Sequence, residues 1–304
     1  MLNPIPPRLL SISKSRAIRL LFLALLNNTD VVIRRILAEH RREDLPDDVL
    51  RMLDACRFWS NHNIPVGESA TVLRFLWWLN ESSGARRNLD RSGTLADRMV
   101  TLNPDMLNWT IHELLDPARV PEQTSQLASA ATLYDPGKYP RIELNCPHHL
   151  RITYEVLDEW QNYKAGGVLP VCGIDPTIQA QAEAFLRVLC GQELQFEPLQ
   201  QEDLPFARAF LGELVVEEAR ERWPSLAHHE SNRFVEMERA LSDWDTKHVI
   251  SSRDHRVIQA VAMRAILKGS KPKKVLGAIS HRKAVAKSWP RFEQFIEWAY
   301  EQKK

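Results

Sequence analysis

Residues 13–26 of the chain, SKSRAIRLLFLALL, join a basic, hydroxyl-rich start to an unbroken apolar run. A basic segment followed by an apolar one also begins a signal peptide, but here the polar stretch 27–30 follows at once and no small-residue cleavage site is present. The apolar run, Leu20 to Leu26, is also too short to cross a bilayer. The segment therefore predicts a buried helix in a cytoplasmic protein that does not enter a membrane.

The composition of the whole chain is that of an ordinary globular protein. Its 304 residues are 44% hydrophobic and 26% charged, which suffices for one large or two medium domains that each bury a core. The formal net charge of +1 gives no field that would recruit nucleic acid, so any anion site must be a local cluster of cations. The four cysteines form no C-x-x-C pair and are expected to be reduced thiols.

Helical and extended patterns alternate along the rest of the chain. Apolar residues recur with helical period in five further segments, at 48–59, 178–189, 234–244, 292–299 and from 255 towards the glycine at 269. Short strands are predicted at 141–144, 168–171, 193–196 and 274–278, with the glycine pair 166–167 as the best linker candidate. Helices that recur between short strands indicate the α/β fold class.

Motifs for common cofactor chemistry are missing from the sequence. The chain has neither G-x-G-x-x-G nor G-x-x-x-x-G-K-[ST], so dinucleotide and P-loop chemistry are not expected. His112-Glu113 is followed by Leu-Leu-Asp rather than by a second histidine at the spacing of zinc proteases. Adjacent histidines at 148–149 and 228–229 point apart on a helix or a strand and rarely share an ion. Neither a cofactor nor a metal is expected.

Short motifs in a fixed order give the strongest functional signal. They are SKSRAIR at 13–19, DDVLRML at 47–53, GESATVLRFL at 67–76, the pair Arg87 and Arg91, TSQ at 124–126, HESNR at 229–233, DHR at 254–256 and KSWP at 287–290. In this order they resemble the motifs of 5-enolpyruvylshikimate-3-phosphate (EPSP) synthases. Chance easily supplies any one of them, but eight in order indicate a shortened and divergent member of that family.

The resemblance implies a role for each matching residue. The residues that would contact phosphoenolpyruvate are Lys14, Ala70, Arg87, Gln126, Arg233, Arg256 and Lys287. The residues that would hold the hydroxylated acceptor are Ser15, Arg19, Thr124, Ser125, Gln126, Asn145 and His229. The residues that would act in catalysis are Lys14, Glu230 as general acid, His255, and Glu221 as base. Independently of the family, a cleft for two such anions needs several fixed cations, and guanidinium groups suit their oxygens.

The chain departs from the family pattern mainly around the acceptor and the base. Family members are longer and carry an aspartate base well upstream of the motif that matches HESNR. Here either Glu221 replaces that base or the base is lost. His229 stands where the family has a lysine, and Ala70 stands where it has a loop glycine. The cations assigned to phosphoenolpyruvate are better retained. This indicates that the site for phosphoenolpyruvate, the enolpyruvyl donor, is kept and that the acceptor site has diverged.

The fold implied by the resemblance is a trimmed two-domain α/β architecture of repeated strand–helix units, with small-molecule ligands in the cleft between the domains. The first domain is expected to comprise residues 1–12 and 174–304, and the second residues 13–173. The expected activity is enolpyruvyl transfer from phosphoenolpyruvate to a hydroxyl of shikimate 3-phosphate or a close analogue, by a monomer of the shikimate pathway to aromatic amino acids. Two alternatives stay open: the same chemistry on another hydroxylated acid, and a non-catalytic anion-binding homologue.

Overall fold

The computed structural model describes residues 3–97, 99–120, 125–144, 146–193, 204–211 and 233–303. The chain divides into two compact units: residues 13–173, termed the inserted unit, and residues 1–12 with 174–304, termed the terminal unit. These are the positions at which the sequence analysis placed the domain boundaries. Backbone hydrogen bonds join the two crossing segments, since Ser13 N donates to Gly173 O (3.0 Å) and Asp175 N donates to Ser11 O (2.8 Å).

The inserted unit consists of helices packed around one apolar helix. Its α-helices are α1 Lys14–Leu26, α2 Val31–Glu39, α3 Asp47–Phe58, α4 Ala70–Ser83, α5 Ile111–Leu115, α6 Gln126–Tyr134 and α7 His148–Lys164. Ser13 caps α1, because its side chain accepts a hydrogen bond from Arg16 N. Every residue of α1 from Ala17 to Ala24 is buried, and α1 lies against α3, α6 and α7. The buried helix predicted for this segment is confirmed.

A small parallel sheet positions the start of α4. The strands β1 Asn63–Gly67 and β2 Asn88–Arg91 pair in parallel, with Asn63 opposite Asn88 and Gly67 opposite Arg91. Helix α4 connects them, so the three elements form one strand–helix–strand unit. The chain leaves the carboxyl end of β1 and enters α4 directly, with Ser69 as the cap (its Oγ accepts from Val72 N, 3.2 Å).

The terminal unit is also helical. Its described α-helices are α8 Pro176–Leu189, α9 Leu204–Leu211, α10 Arg233–Lys247, α11 His255–Leu267, α12 Pro272–Gly277, α13 Arg282–Ala286 and α14 Phe292–Gln302. Helix α11 is the core of this unit: it is almost entirely buried from Val257 to Ile266 and lies against α8, α9, α10, α12 and α13. Ile250 precedes α11 and Ile279 follows α12, and a parallel β-bridge joins these two residues.

The structure corrects the predicted strands while keeping the predicted helices. The described residues are mostly helical, and their one sheet is the two-stranded pair β1–β2. Segments 141–144 and 168–171 form no strand, and 193–196 extends beyond the described residues. In 168–171, Pro170 cannot donate a ladder hydrogen bond. The predicted strand 274–278 lies largely in α12, where Pro272 at the first helical position favours helical φ.

The expected series of repeated strand–helix units is therefore reduced, in the described part of the chain, to the unit β1–α4–β2 and the single bridge of Ile250 with Ile279. Of the four segments predicted as strands, one, 274–278, packs as part of a helix, and 141–144 and 168–171 form neither strand nor helix. None of the helices in the described ranges is both long enough and apolar enough to cross a membrane.

Candidate functional site

A buried arginine organises the candidate site of the inserted unit. Arg19, on α1, is only 2% exposed. Its guanidinium donates four hydrogen bonds, which go to Thr153 Oγ1 (2.7 Å), Ser15 O (2.8 Å), His149 O (2.9 Å) and Ser129 Oγ (3.0 Å). It also lies 5.5 Å from the ring centroid of Phe75, a cation–π contact. Arg19 was predicted to hold the acceptor, but in this structure protein oxygens already occupy most of its donors.

These contacts bring four helix N-termini together. Arg19, Phe75, Ser129 and Thr153 lie within the first two turns of α1, α4, α6 and α7 respectively. The first turn of a helix leaves backbone N–H groups without intrahelical partners, and the helix dipole is positive there. Helix N-termini are therefore natural anion sites, and four of them meet around one guanidinium.

Side chains at the start of these helices add polar groups to the same region. Lys14, the first residue of α1, forms an ion pair with Asp48 at the start of α3 (Nζ to Oδ2, 3.0 Å). Gln126, the first residue of α6, bridges to α4: its Nε2 donates to Thr71 Oγ1 (3.0 Å), and its Oε1 accepts from Arg74 Nη1 (2.8 Å). The first turns of α4 and α6 are thus fixed to each other by side-chain hydrogen bonds.

Three further residues that were predicted to contact phosphoenolpyruvate or the acceptor substrate also lie at these helix starts. Ala70 is the first residue of α4 and is half-buried. Ser125 occupies the cap position of α6, and its carbonyl accepts from Ser129 Oγ (2.8 Å). Ser15 lies in the first turn of α1, where its carbonyl accepts from Arg19. The structure therefore gathers Lys14, Ser15, Ala70, Ser125 and Gln126 at the same ends of adjacent helices.

The electrostatics of this region favour an anion. Burial lowers the pKa of Arg19 to about 9, so its guanidinium is still charged at neutral pH. Among the described residues no carboxylate lies within ion-pair distance of Arg19, whereas the charge of Lys14 is met by Asp48. Burial destabilises a cation, and so do the positive ends of the helices around it. A bound anion would offset both effects.

Arg87 does not join this cluster. Its backbone N–H donates to Asn80 Oδ1 (2.7 Å), near the C-terminus of α4, and its guanidinium stacks 4.3 Å above the ring of Trp59. Asn80 is ten residues beyond Ala70, which is about 15 Å along a helix axis. Arg87 precedes β2 and lies at the amino edge of the sheet, whereas α4 begins at the carboxyl edge. The structure therefore does not bring Arg87 to the first turn of α4.

Two residues of the quoted motifs that were given no role from the sequence lie in or beside the cluster. Arg74 is only 1% exposed and contacts Gln126, and Asp48 pairs with Lys14. Arg74 is the one cation in the apolar stretch VLRFLWWL at 72–79, and a charge inside such a stretch is the sequence signal that identifies it.

In the terminal unit, predicted site residues meet at the start of α11. His255 and Arg256 are its first two residues, and Asp254 caps it by accepting a hydrogen bond from Arg256 N (2.8 Å). One turn later, Gln259 Nε2 donates to the hydroxyl of Ser288, the residue after Lys287 (3.2 Å). The DHR and KSWP motifs are therefore neighbours in space as well as matches in order. The Arg256 guanidinium also lies 5.8 Å from the Phe206 ring.

Searches of family models, curated proteins and solved structures give no match to this chain.

Several predicted residues lie outside the described ranges. They are Thr124, Asn145, Glu221, His229 and Glu230, together with the side chain of Arg233. Within the described ranges, no group of three or more metal-ligating side chains is close enough to hold an ion. Burial raises the pKa of the Cys56 and Cys172 thiols to about 12, so neither is a ready nucleophile.

Proposed function

We propose that this chain is a shortened enolpyruvyl transferase that binds phosphoenolpyruvate and transfers its enolpyruvyl group to a hydroxyl of shikimate 3-phosphate or a close analogue. The observation that carries the proposal is the meeting of the first turns of α1, α4, α6 and α7 around the buried cation Arg19. Phosphoenolpyruvate carries a phosphate and a carboxylate on a small carbon frame. Helix N-termini, with Lys14 and Gln126 beside them, supply the charge and the donors that such a ligand needs.

The course of the chain supports the same proposal. The chain starts in the terminal unit, passes into the inserted unit before Ser13 and returns at Ile174. This is the order that a trimmed two-domain enolpyruvyl transferase-like fold requires. The DHR and KSWP motifs lie close together at the N-terminus of α11 in the terminal unit. His255, Arg256 and Lys287 would take their proposed roles there.

In the proposed reaction a base takes the proton of the acceptor hydroxyl as its oxygen bonds to C2 of phosphoenolpyruvate, and C3 gains a proton from the acid. The intermediate then loses phosphate, and a C3 proton returns to a base. Glu230 is the proposed acid. The base is either Glu221 or a group that the chain has lost.

The second candidate function is binding of the same anion without transfer. One observation favours it. Arg19, which was predicted to hold the acceptor, donates to protein oxygens rather than leaving its fork open for that ligand. A protein with this feature would bind phosphoenolpyruvate but not the acceptor.

Replacing Lys14 with methionine is expected to weaken phosphoenolpyruvate binding by roughly 1.5–3 kcal/mol, because one charge-assisted contact is lost. Asp48→Asn is the matched variant, since it breaks the same ion pair but keeps the charge of Lys14. Isothermal titration should show weaker binding for Lys14→Met and unchanged or tighter binding for Asp48→Asn. Equal losses in both variants would mean that the ion pair, and not contact with the ligand, is what matters.

Arg87→Ala is expected to leave the dissociation constant for phosphoenolpyruvate within about twofold of the wild type, because Arg87 lies about 15 Å from the start of α4. The same substitution should cost about 1 kcal/mol of stability, since it removes the stacking on Trp59. Titration and chemical denaturation give the two values. A large loss of affinity in a folded Arg87→Ala protein would show that Arg87 does contact phosphoenolpyruvate.

Transfer itself is tested by phosphate release from phosphoenolpyruvate, with shikimate 3-phosphate and then a panel of cyclic hydroxy acids as acceptors. The proposed function requires release with at least one acceptor, and about a hundredfold slower release by Glu230→Gln. Tight phosphoenolpyruvate binding without release for any acceptor would instead establish the second candidate function.

A further inference from the structure

A separate depression lies beside the β-bridge of the terminal unit. The bridge residues Ile250 and Ile279 run parallel, and each is followed by a polar segment. Helix α10 borders both segments. Together they enclose an open depression of about 510 Å³ that is lined by Glu236, Arg239, Asp243, Ser251, Arg253 and His281. Parallel strands tend to bind ligands beyond their carboxyl ends, which is where this depression lies.

The two carboxylates of the depression are already engaged by the protein. Glu236 Oε1 accepts hydrogen bonds from Ser252 Oγ (2.6 Å) and from Arg253 N (2.9 Å). Asp243 accepts from Lys247 Nζ (2.8 Å) and from Ser251 Oγ (2.7 Å), and these two bonds, Lys247 first, lower its pKa. Both carboxylates therefore act as fixed acceptors that hold the loop against α10.

The two arginines of the depression are not engaged in this way. Across the described ranges, neither the Arg239 nor the Arg253 side chain has a hydrogen bond or an ion pair, and both are exposed. Arg239 acts on Asp243 only through space. Arg239 comes from α10 and Arg253 from the loop before α11, so the two guanidinium groups reach the depression from different elements. His281 adds a ring nitrogen from a third element.

We propose that this depression binds the phosphate group of a small phosphorylated molecule, at a site distinct from the residues assigned to enolpyruvyl transfer. Two guanidinium groups and an imidazole from three elements match the several oxygens of one phosphate. Protein donors already bond both carboxylates, Lys247 is paired with Asp243, and Asp243 attracts Arg239 only through space. Within the lining the two guanidinium charges equal the two carboxylate charges, and Lys247 beside Asp243 adds one further positive charge.

The test is a titration with inorganic phosphate at low ionic strength, because exposed charges are screened by salt. Backbone amide chemical shifts are followed in the full chain. We expect saturable shifts at Ser251, Arg253 and His281. In Arg239→Gln and Arg253→Gln the half-saturation concentration should rise roughly fivefold to tenfold, for loss of one charged contact at an exposed site.

The control is Arg8→Gln, which removes an exposed arginine of the same unit that does not line the depression and should leave the response unchanged. Lys14→Met should also respond like the wild type, because Lys14 does not line the depression. The phosphate response therefore does not depend on whether the chain transfers enolpyruvyl groups. Amides that do not shift across the millimolar range, or half-saturation unchanged in both arginine variants, would overturn the proposal. Spectra with native dispersion show that each variant is folded.

Discussion

Replacing Arg19 with alanine should lower the free energy of unfolding of the inserted unit by about 3–5 kcal/mol. The substitution removes four donors from a buried network, so that oxygens of Thr153, Ser129 and the His149 backbone lose a partner away from water. It also leaves a cavity beside Phe75 and ends the cation–π contact. These losses add, and they exceed the relief from no longer burying a charge.

Arg19→Met separates the two causes, because methionine fills most of the space and supplies no donor. We expect a loss of about 2 kcal/mol for this variant, the share that belongs to the hydrogen bonds. Arg34→Ala is the control. It removes an exposed arginine that pairs with Asp30 one turn away on α2, and it should cost less than about 0.5 kcal/mol.

Hydrogen exchange of the α1 amides, measured alongside urea denaturation, reports on the inserted unit in particular. If Arg19→Ala and Arg34→Ala unfold at the same denaturant concentration, the network does not hold the helix starts together. The convergence of helix N-termini would then need another explanation. Arg19→Lys keeps the charge but not the fork, so it should fall between the wild type and Arg19→Met.

The helices could be predicted from sequence because their signal is local. Apolar residues three and four apart define a buried face without any knowledge of what covers it. The strands could not, because β1 contains Pro65 and β2 is the mostly exposed NLDR. Each becomes a strand only by pairing with the other, 25 positions away, and that pairing leaves no period in the sequence.

The candidate site shows the same limit at the level of single residues. Arg87 and Arg91 are four apart, a spacing that suggests neighbours. Four positions along an extended chain cover about 13 Å, so β2 carries Arg91 to the edge where α4 begins and leaves Arg87 at the opposite edge. Motif order thus singled out Lys14 and Gln126 as binding residues, and the structure places both at the starts of helices. Three of the four hydrogen-bond partners of Arg19, namely Ser129, His149 and Thr153, come from α6 and α7, more than 100 residues away, and no local pattern predicts them.

Replacing Trp289 with alanine should destabilise the terminal unit by about 3–5 kcal/mol, the cost of deleting a large buried aromatic side chain. Trp289 is fully buried, with its ring centroid 4.8 Å from that of Phe295 and 5.2 Å from that of Phe292. Its Nε1 also donates to Leu9 O (2.7 Å), which ties the N-terminal segment to the core of this unit. The substitution therefore removes packing and frees that segment.

Trp289→Phe and Trp298→Ala distinguish these contributions. Trp289→Phe keeps most of the packing but not the donor, so it should cost about 1–2 kcal/mol and increase hydrogen exchange at the amides of Leu9 and Leu10. Trp298→Ala removes a half-buried ring from the same helix region and should cost less than Trp289→Ala while leaving those two amides protected. Equal exchange at Leu9 in the wild type and in Trp289→Phe would show that packing alone holds the N-terminal segment, because the indole hydrogen bond would then contribute nothing measurable.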